Sequence, residues 1–406
     1  MKLTVKSVIS ASFIASIGFL SYKYYDTTIL ESQKFKDADY KYQTGDLEPL
    51  PGPNLAEGDP KDIHFEKLDL GIAAIKSISE NGDVLYTWYG DHSVTFPYSD
   101  KDGFKRTGVK LGQPVFRVRR ADGTIKDFPN AHAITMTRGG KVFVVRGDQS
   151  AYELIYEGKK ILDSKTTHLG YPSRDWDYNP TITDDGIFDS SSNESKYLFK
   201  PDMSLTEVQS TYQEDKRYSF YSKGSTELGS FGSTGHDVFK NKFFHQSQIA
   251  NMHKGTQHYI DLPEWMPNPL IVPTRKSVFV YEPQNYASQL WEYRDNRFTQ
   301  IPVPSGSVFV KLEGANGGHE YVLESSTVDP TRKGTYGMPY TSKRFFVTNG
   351  KAYDFNQILV SVGLREDTTF SNSYGAPTNM MDENGDIVVS EYGDDYFRLY
   401  LLKRKK

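Results

Sequence analysis

The densest chemistry in the chain lies in Tyr171–Pro180, which reads YPSRDWDYNP and sets Arg174, Asp175, Trp176, Asp177 and Tyr178 side by side. A guanidinium can pair with an anion, two carboxylates can accept hydroxyl protons, and an indole and a phenol ring can lie against the CH face of a sugar. Pro172 and Pro180 bracket the stretch, and no strand or helix period runs through it, so it reads as a loop. Loops held on a rigid scaffold carry function more often than the scaffold does. These five residues are therefore the candidate ligand-binding set. Asp175-x-Asp177-x-Asn179 opens like a calcium loop, but Pro180 stands at position six, where the turn needs Gly, and Gly186 at position twelve, where a bidentate Glu belongs. An EF-hand loop is excluded.

Other groups are weaker. His236, His245, His253 and His258 fall close together, but separations of 9, 8 and 5 match no metal signature. The chain has no cysteine, so disulfides, thiolate metal sites and a Cys nucleophile are all ruled out. Gly229–Asp237, GSFGSTGHD, has neither the G-x-S-x-G nor the phosphate-loop spacing and reads as a loop between strands. No metal and no cofactor are expected, and catalytic residues are unassigned. With a formal net charge of −4 and pI near 6.2, the chain lacks the basic field that a nucleic-acid backbone requires.

The elements that would position such a loop are strands. Aromatics make up 14% of the 406 residues, mostly Tyr and Phe, which favour pleated half-buried surfaces. After about residue 61 short apolar runs alternate with Gly, Asn and Asp turns, and no useful helical period appears. A turn-then-strand element recurs at Ala74–Trp88, Ala133–Val145, Thr181–Asp189, Ile249–Leu262, Val310–Glu324 and Asn379–Val389. Its glycines, Gly82, Gly140, Gly186, Gly255, Gly317 and Gly385, lie 58, 46, 69, 62 and 68 residues apart. A second element, an aromatic strand with a Gly turn and a short acidic end, precedes it at Pro114–Pro129 and at Arg344–Asn356. Two hairpins per unit make four strands. Repeated sheets of that size bury both faces by stacking around an axis. The predicted fold is all-β, a β-propeller of six or seven four-stranded blades preceded by an N-terminal hydrophobic helix. The last strand, YFRLYLLKRKK, is expected to close the ring against IHFEKLDL near residue 63.

These elements carry a resemblance. LDLGIAAIKSISENGDVLYTW at Leu68–Trp88, and RFFVTNGKAYDFNQIL followed by NMMDENGDIVV, are similar to the units of exported bacterial proteins with His-Ala-Phe-type extracellular repeats. The name-giving triplet is absent and the closing glycine of the unit is missing in most copies, so the chain resembles a divergent member. The resemblance implies a repeat fold outside the cytoplasm and no particular reaction.

The N-terminus agrees with export. Lys2 and Lys6 precede an apolar run from Ser7 to Tyr22, followed by Lys23. This is the pattern of a signal peptide or signal-anchor. Residues 1–25 are thus assigned to a signal or anchor, 26–60 to a Pro/Gly/acidic tether, and 61–406 to the propeller. The expected location is the cell envelope, anchored in the cytoplasmic membrane with the propeller outside the cytoplasm. The expected role is recognition or scaffolding toward an envelope or extracellular protein or glycan. The alternative is a glycan-active hydrolase or lyase built on the propeller face.

Overall fold

Runs of Val, Ile, Phe and Tyr broken by turn residues become strands along the chain. The computed structural model describes residues 36–37, 40–99, 105–148, 151–165, 181–188, 195–209, 218–219, 230–234, 248–253, 256–261, 270–281, 289–332, 338–370, 379–392 and 397–406. The fold is all-β with a propeller arrangement.

Five separate sheets of four or five strands form the blades, fewer than the six or seven expected. The first blade holds Ala133–Met136, Val142–Asp148, Ala151–Tyr156 and Lys159–Asp163. The second holds Thr181–Ile182, Gly186–Phe188, Ser195–Phe199 and Leu205–Gln209. The third holds Tyr218–Ser219, Ser230–Thr234, Gln248–His253 and Thr256–Asp261, and the fourth Leu270–Pro273, Val278–Tyr281, Trp291–Arg294 and Arg297–Gln300. The fifth, Phe309–Ala315, Tyr321–Val328, Tyr340–Thr348 and Lys351–Asp354, gains a parallel fifth strand from Ala56–Glu57.

The count differs because both ends of the chain share one continuous sheet. His64–Ile78 is a single 15-residue strand. Its first half pairs with Phe397–Lys405 and its second half with Val84–Gly90. Ile387–Tyr392 extends the sheet on one side, Val115–Arg119 and Ile125–Phe128 on the other, giving six strands. A bulge at Asp69/Gly71 marks the crossover. Gly71 has φ +85, and a Cβ there would stand 2.9 Å from the Trp88 indole nitrogen, so glycine is what permits the bend. Closure of the C-terminal strand on IHFEKLDL is therefore found as expected, with Phe65 opposite Arg404 and Leu68 opposite Leu401.

The sequence repeat runs out of phase with the blades. Pro114–Pro129 forms the outer pair of the closing sheet, whereas Ala133–Val145 opens the first blade. Likewise Arg344–Asn356 ends the fifth blade and Asn379–Val389 belongs to the closing sheet. Each of these blades starts at the turn-then-strand element. The copy at Ile249–Leu262 is an outer hairpin of the third blade. The fourth blade's inner turn, Thr274–Ser277, contains no glycine and escaped the pattern.

Leu50 and Leu55 are buried in the apolar cluster of the fourth and fifth blades, and the Leu55 amide donates to the Val303 carbonyl at 2.9 Å. Ordered structure thus begins before residue 61. The DFN segment starts a short helix, Phe355–Ser361. Asp354 caps the Gln357 amide, and Phe355, Ile358 and Leu359 are buried. Two turns are too short to leave a sequence period. The expected N-terminal hydrophobic helix at 1–25 lies outside the described residues. Among the described residues no helix is long and apolar enough to cross a membrane.

Candidate functional site

The blades place their inner hairpin turns together. Six of these turns are linked: 79–83, 137–141, 183–186, 274–277, 316–320 and 382–386. Each opens on a residue with a short polar side chain: Ser79, Thr137, Thr183, Thr274, Asn316 or Asp382. In each turn that side-chain oxygen accepts backbone amides of its own loop. This is the local chemistry that makes Ser, Thr, Asn and Asp good turn formers. Gly82, Gly140 and Gly385 take left-handed φ of +87, +88 and +88, whereas Gly186 does not. In the fifth blade the left-handed position falls instead to His319, at φ +63. Gly317 is needed there for space, since a Cβ would approach Glu383 Oε2 at 2.7 Å.

Carboxylates then tie each turn to its neighbours. Asp184 accepts from the Thr137 hydroxyl at 2.5 Å and the Gly139 amide at 2.8 Å. Asp83 accepts from the Ala121 amide and pairs with Arg120, which also donates to the Gly140 carbonyl. Glu383 accepts from the Arg275 and Gly317 amides, and its own amide donates to the Glu80 carbonyl. Arg138, only 5% exposed, donates to the carbonyls of Ile78 at 3.1 Å and Met381 at 2.7 Å. Burial lowers the pKa of its guanidinium, while Glu80, Glu383, Asp382 and Asp184 pull the other way. Burial, then the Asp386 carboxylate, pushes Asp382 up to about 7. Burial also raises Asp184 and Asp386.

A carboxylate near pH 7 is what a general acid needs, but Asp382 is already committed. Its oxygens accept from the Asn384 amide, the Asn384 side chain and the Asp386 amide, and the residue is fully buried. Asp382 thus caps its own turn, while Asp184 and Glu383 couple one turn to another. Among the described residues no group of His, Cys, Asp and Glu could hold a metal ion.

Chemistry can reach a ligand in a cavity of about 420 Å³ between the closing sheet and the first blade. Its lining includes the Gly139–Gly140 turn, Phe128 and the Tyr156–Gly158 segment. Buried Val142, Val144 and Ile155 form its apolar wall. Asp127 lines it but is held by Arg117 through two hydrogen bonds of 2.6 and 2.9 Å, which keep its pKa below the usual carboxylate value. Arg117 in turn lies 3.8 Å above the Trp88 ring. Lys141 donates to the Asp184 carbonyl. Glu157 is exposed at its edge. Lys126 sits 5.2 Å from the Phe128 ring centroid and makes no ion pair among the described residues, and neither does Arg146. A second cavity, about 530 Å³, lies between Ile63–Phe65 and the helix Phe355–Ser361. Neither cavity is lined by Asp382 or Asp386.

The expected ligand loop, Arg174, Asp175, Trp176, Asp177 and Tyr178, lies outside the described residues, as do His236 and His245. His253 and His258 lie on paired strands of the third blade. Sequence reading missed the cavity because its lining comes from the outer edge of one sheet and the inner strands of the next, more than ten residues apart. It also missed the turn-opening Ser/Thr/Asn/Asp, a signal that stands in the sequence three or four residues before each turn's end.

No family model matches the chain, and no curated protein matches it. Among solved structures the chain is similar to BBS1N in its complex with ARL6DN, soaked with lead, at 8% identity and TM-score 0.33, covering 85% of this chain and 97% of that one. It is similar to a protein assigned to export from Bacteroides fragilis, at 10% identity and TM-score 0.25, covering 87% and 99%. It is also similar to a GH43_1 enzyme from Xanthomonas citri, at 8% identity and TM-score 0.19, covering 73% and 95%. At these scores the likenesses define no family, and the resemblance to His-Ala-Phe-type repeat proteins extends no further than the propeller arrangement.

Proposed function

We propose that this chain is a recognition module of the cell envelope, in which a β-propeller scaffold presents inter-blade sites to a protein or glycan partner. One observation carries the reading. The described carboxylates whose pKa is raised by burial lie inside the turn ring, whereas the cavity open to a ligand offers mainly cations, a ring and backbone. A glycoside hydrolase needs two carboxyl groups facing each other across its pocket, and of the two acids lining this one Asp127 is already held by Arg117, which leaves Glu157 alone. The export part of the proposal rests on Lys2, Lys6 and the apolar run from Ser7 to Tyr22.

The test is retention without turnover. Purified protein is run through gels containing envelope polysaccharides, and the same mixtures are assayed for new reducing ends and unsaturated products. Recognition expects retarded migration and no product. Product formation would move the glycan-active enzyme to the front. If nothing retards it, the partner class is protein, to be sought by crosslinking the C-terminally tagged chain in its own cells. The same cells, fractionated, test the anchor: a tagged chain that stays with membranes after a high-salt wash supports it, and release into the soluble fraction removes it.

A further inference from the structure

We infer that the cavity between the closing sheet and the first blade binds an acidic sugar, with Lys126 and Arg146 holding its carboxylate; this rests on the recognition reading and names the ligand class and the site. Three features meet there. The volume, about 420 Å³, falls within the roughly 300–1,000 Å³ typical of small-molecule sites. Its charges are unbalanced in a particular way. Of the two acids on its wall, Asp127 is held by Arg117, and Glu157 alone stands against Lys126, Lys141 and Arg146. Arg120 is neutralised by Asp83 at 2.7 Å. Lys126 and Arg146 make no ion pair among the described residues and are exposed. The net charge of the lining that remains is positive, which attracts an anion.

A ring supplies the third feature. Phe128 is half-buried and lines the same space beside Val142 and Val144. The Tyr156 ring packs on the other face of the blade, against Phe143. A half-buried ring offers a face to CH groups, and the neighbouring cations fix where the charged end must lie. A compact body with an apolar CH face, hydroxyls and one carboxylate matches this arrangement. That is a uronic acid unit.

The experiment is calorimetric titration of the full chain with trigalacturonate, with maltotriose as the neutral sugar and triglutamate as the acidic peptide. It is repeated on Lys126→Gln, on Arg146→Gln and on Lys61→Ala, which lines the other cavity. Thermal unfolding of each variant shows whether it is folded, and two separate site variants keep the test alive if one is not. The expected result is binding of trigalacturonate alone, weakened at least tenfold by either glutamine variant, weakened by added salt and untouched by Lys61→Ala. Absence of trigalacturonate binding overturns the inference, as does binding that survives both glutamine variants. Tighter binding of triglutamate overturns the sugar assignment. Retention on an envelope polysaccharide that both glutamine variants share with wild type would leave recognition standing and remove this site.

Discussion

Two charged regions lie within one blade step of each other and are built in opposite ways. In the turn ring, charge is buried and tied off: Arg138 on the carbonyls of Ile78 and Met381, Asp184 on the 137–141 turn, Glu383 on the amides of Arg275 and Gly317. In the cavity Asp127 is held by Arg117, while Lys126 and Arg146 are exposed and make no ion pair among the described residues. Buried charge must find partners because desolvation costs several kcal/mol per ion. An exposed cation is stable without a partner and remains available to a ligand. A perturbed carboxylate is therefore not a functional marker here. Asp382, pushed up to about 7, is a turn cap in a dry place and lines neither cavity.

The largest effect should come from Arg138→Met. It strips the Ile78 and Met381 carbonyls of their donor and leaves Glu80 and Glu383 without their buried cation. The expected loss is about 3–5 kcal/mol, read as a shift in urea midpoint. An unchanged midpoint would mean that the ring does not hold the blades.

Asp382→Asn sharpens the contrast through pH. With a folded pKa raised above its ordinary value, Asp382 keeps a proton that the unfolded chain releases. Its contribution is full below about pH 4 and is lost as pH rises toward about 7. Asp184 and Asp386 shift in the same direction. The variant keeps one side-chain oxygen for the turn amides and has nothing to titrate. Stability measured from pH 4 to 8 should fall less steeply than in wild type, by up to about 4 kcal/mol over the window. Parallel curves would remove Asp382 from the account.

Gly82→Ala asks less of the fold. The added Cβ would sit at φ +87 and 2.8 Å from Asp382 Oδ2, for an expected loss of about 1–2 kcal/mol. Equal stability would mean that the turn can relax. Smallest of all, Arg146→Gln should stay within about 0.5 kcal/mol of wild type, since no described contact depends on the guanidinium.

Several of these features were legible in the sequence and several were not, for identifiable reasons. Strands alternating with turns, the left-handed glycines at 82, 140 and 385, and closure of the C-terminal strand on the segment near residue 63 depend on local chemistry and short patterns. The blade count depended on a strand whose two halves pair with different partners, which no period records. The turn at Thr274–Ser277 uses a hydroxyl in place of a glycine, so a search by glycine passed over it. The short helix at 355–361 is too brief for a period, although its cap, Asp354, and its buried Phe355, Ile358 and Leu359 are plain once seen. Arg138 looked like any surface turn arginine, because only the neighbouring turns, 60 and 243 residues away along the chain, bury it. The cavity was invisible for a different reason. Its lining falls between Arg120 and Gly158, but only the pairing of the strands turns these stretches toward one another across the seam between two sheets.

The most direct measurement is equilibrium urea unfolding of Arg138→Met and of a Lys126→Gln/Arg146→Gln double variant beside wild type at one pH. The account expects the first to lose several kcal/mol and the second to coincide with wild type within error, which leaves its cations available to a ligand. A double variant as damaged as Arg138→Met would show that the cavity's cations are structural, and would contradict the division between ring and cavity.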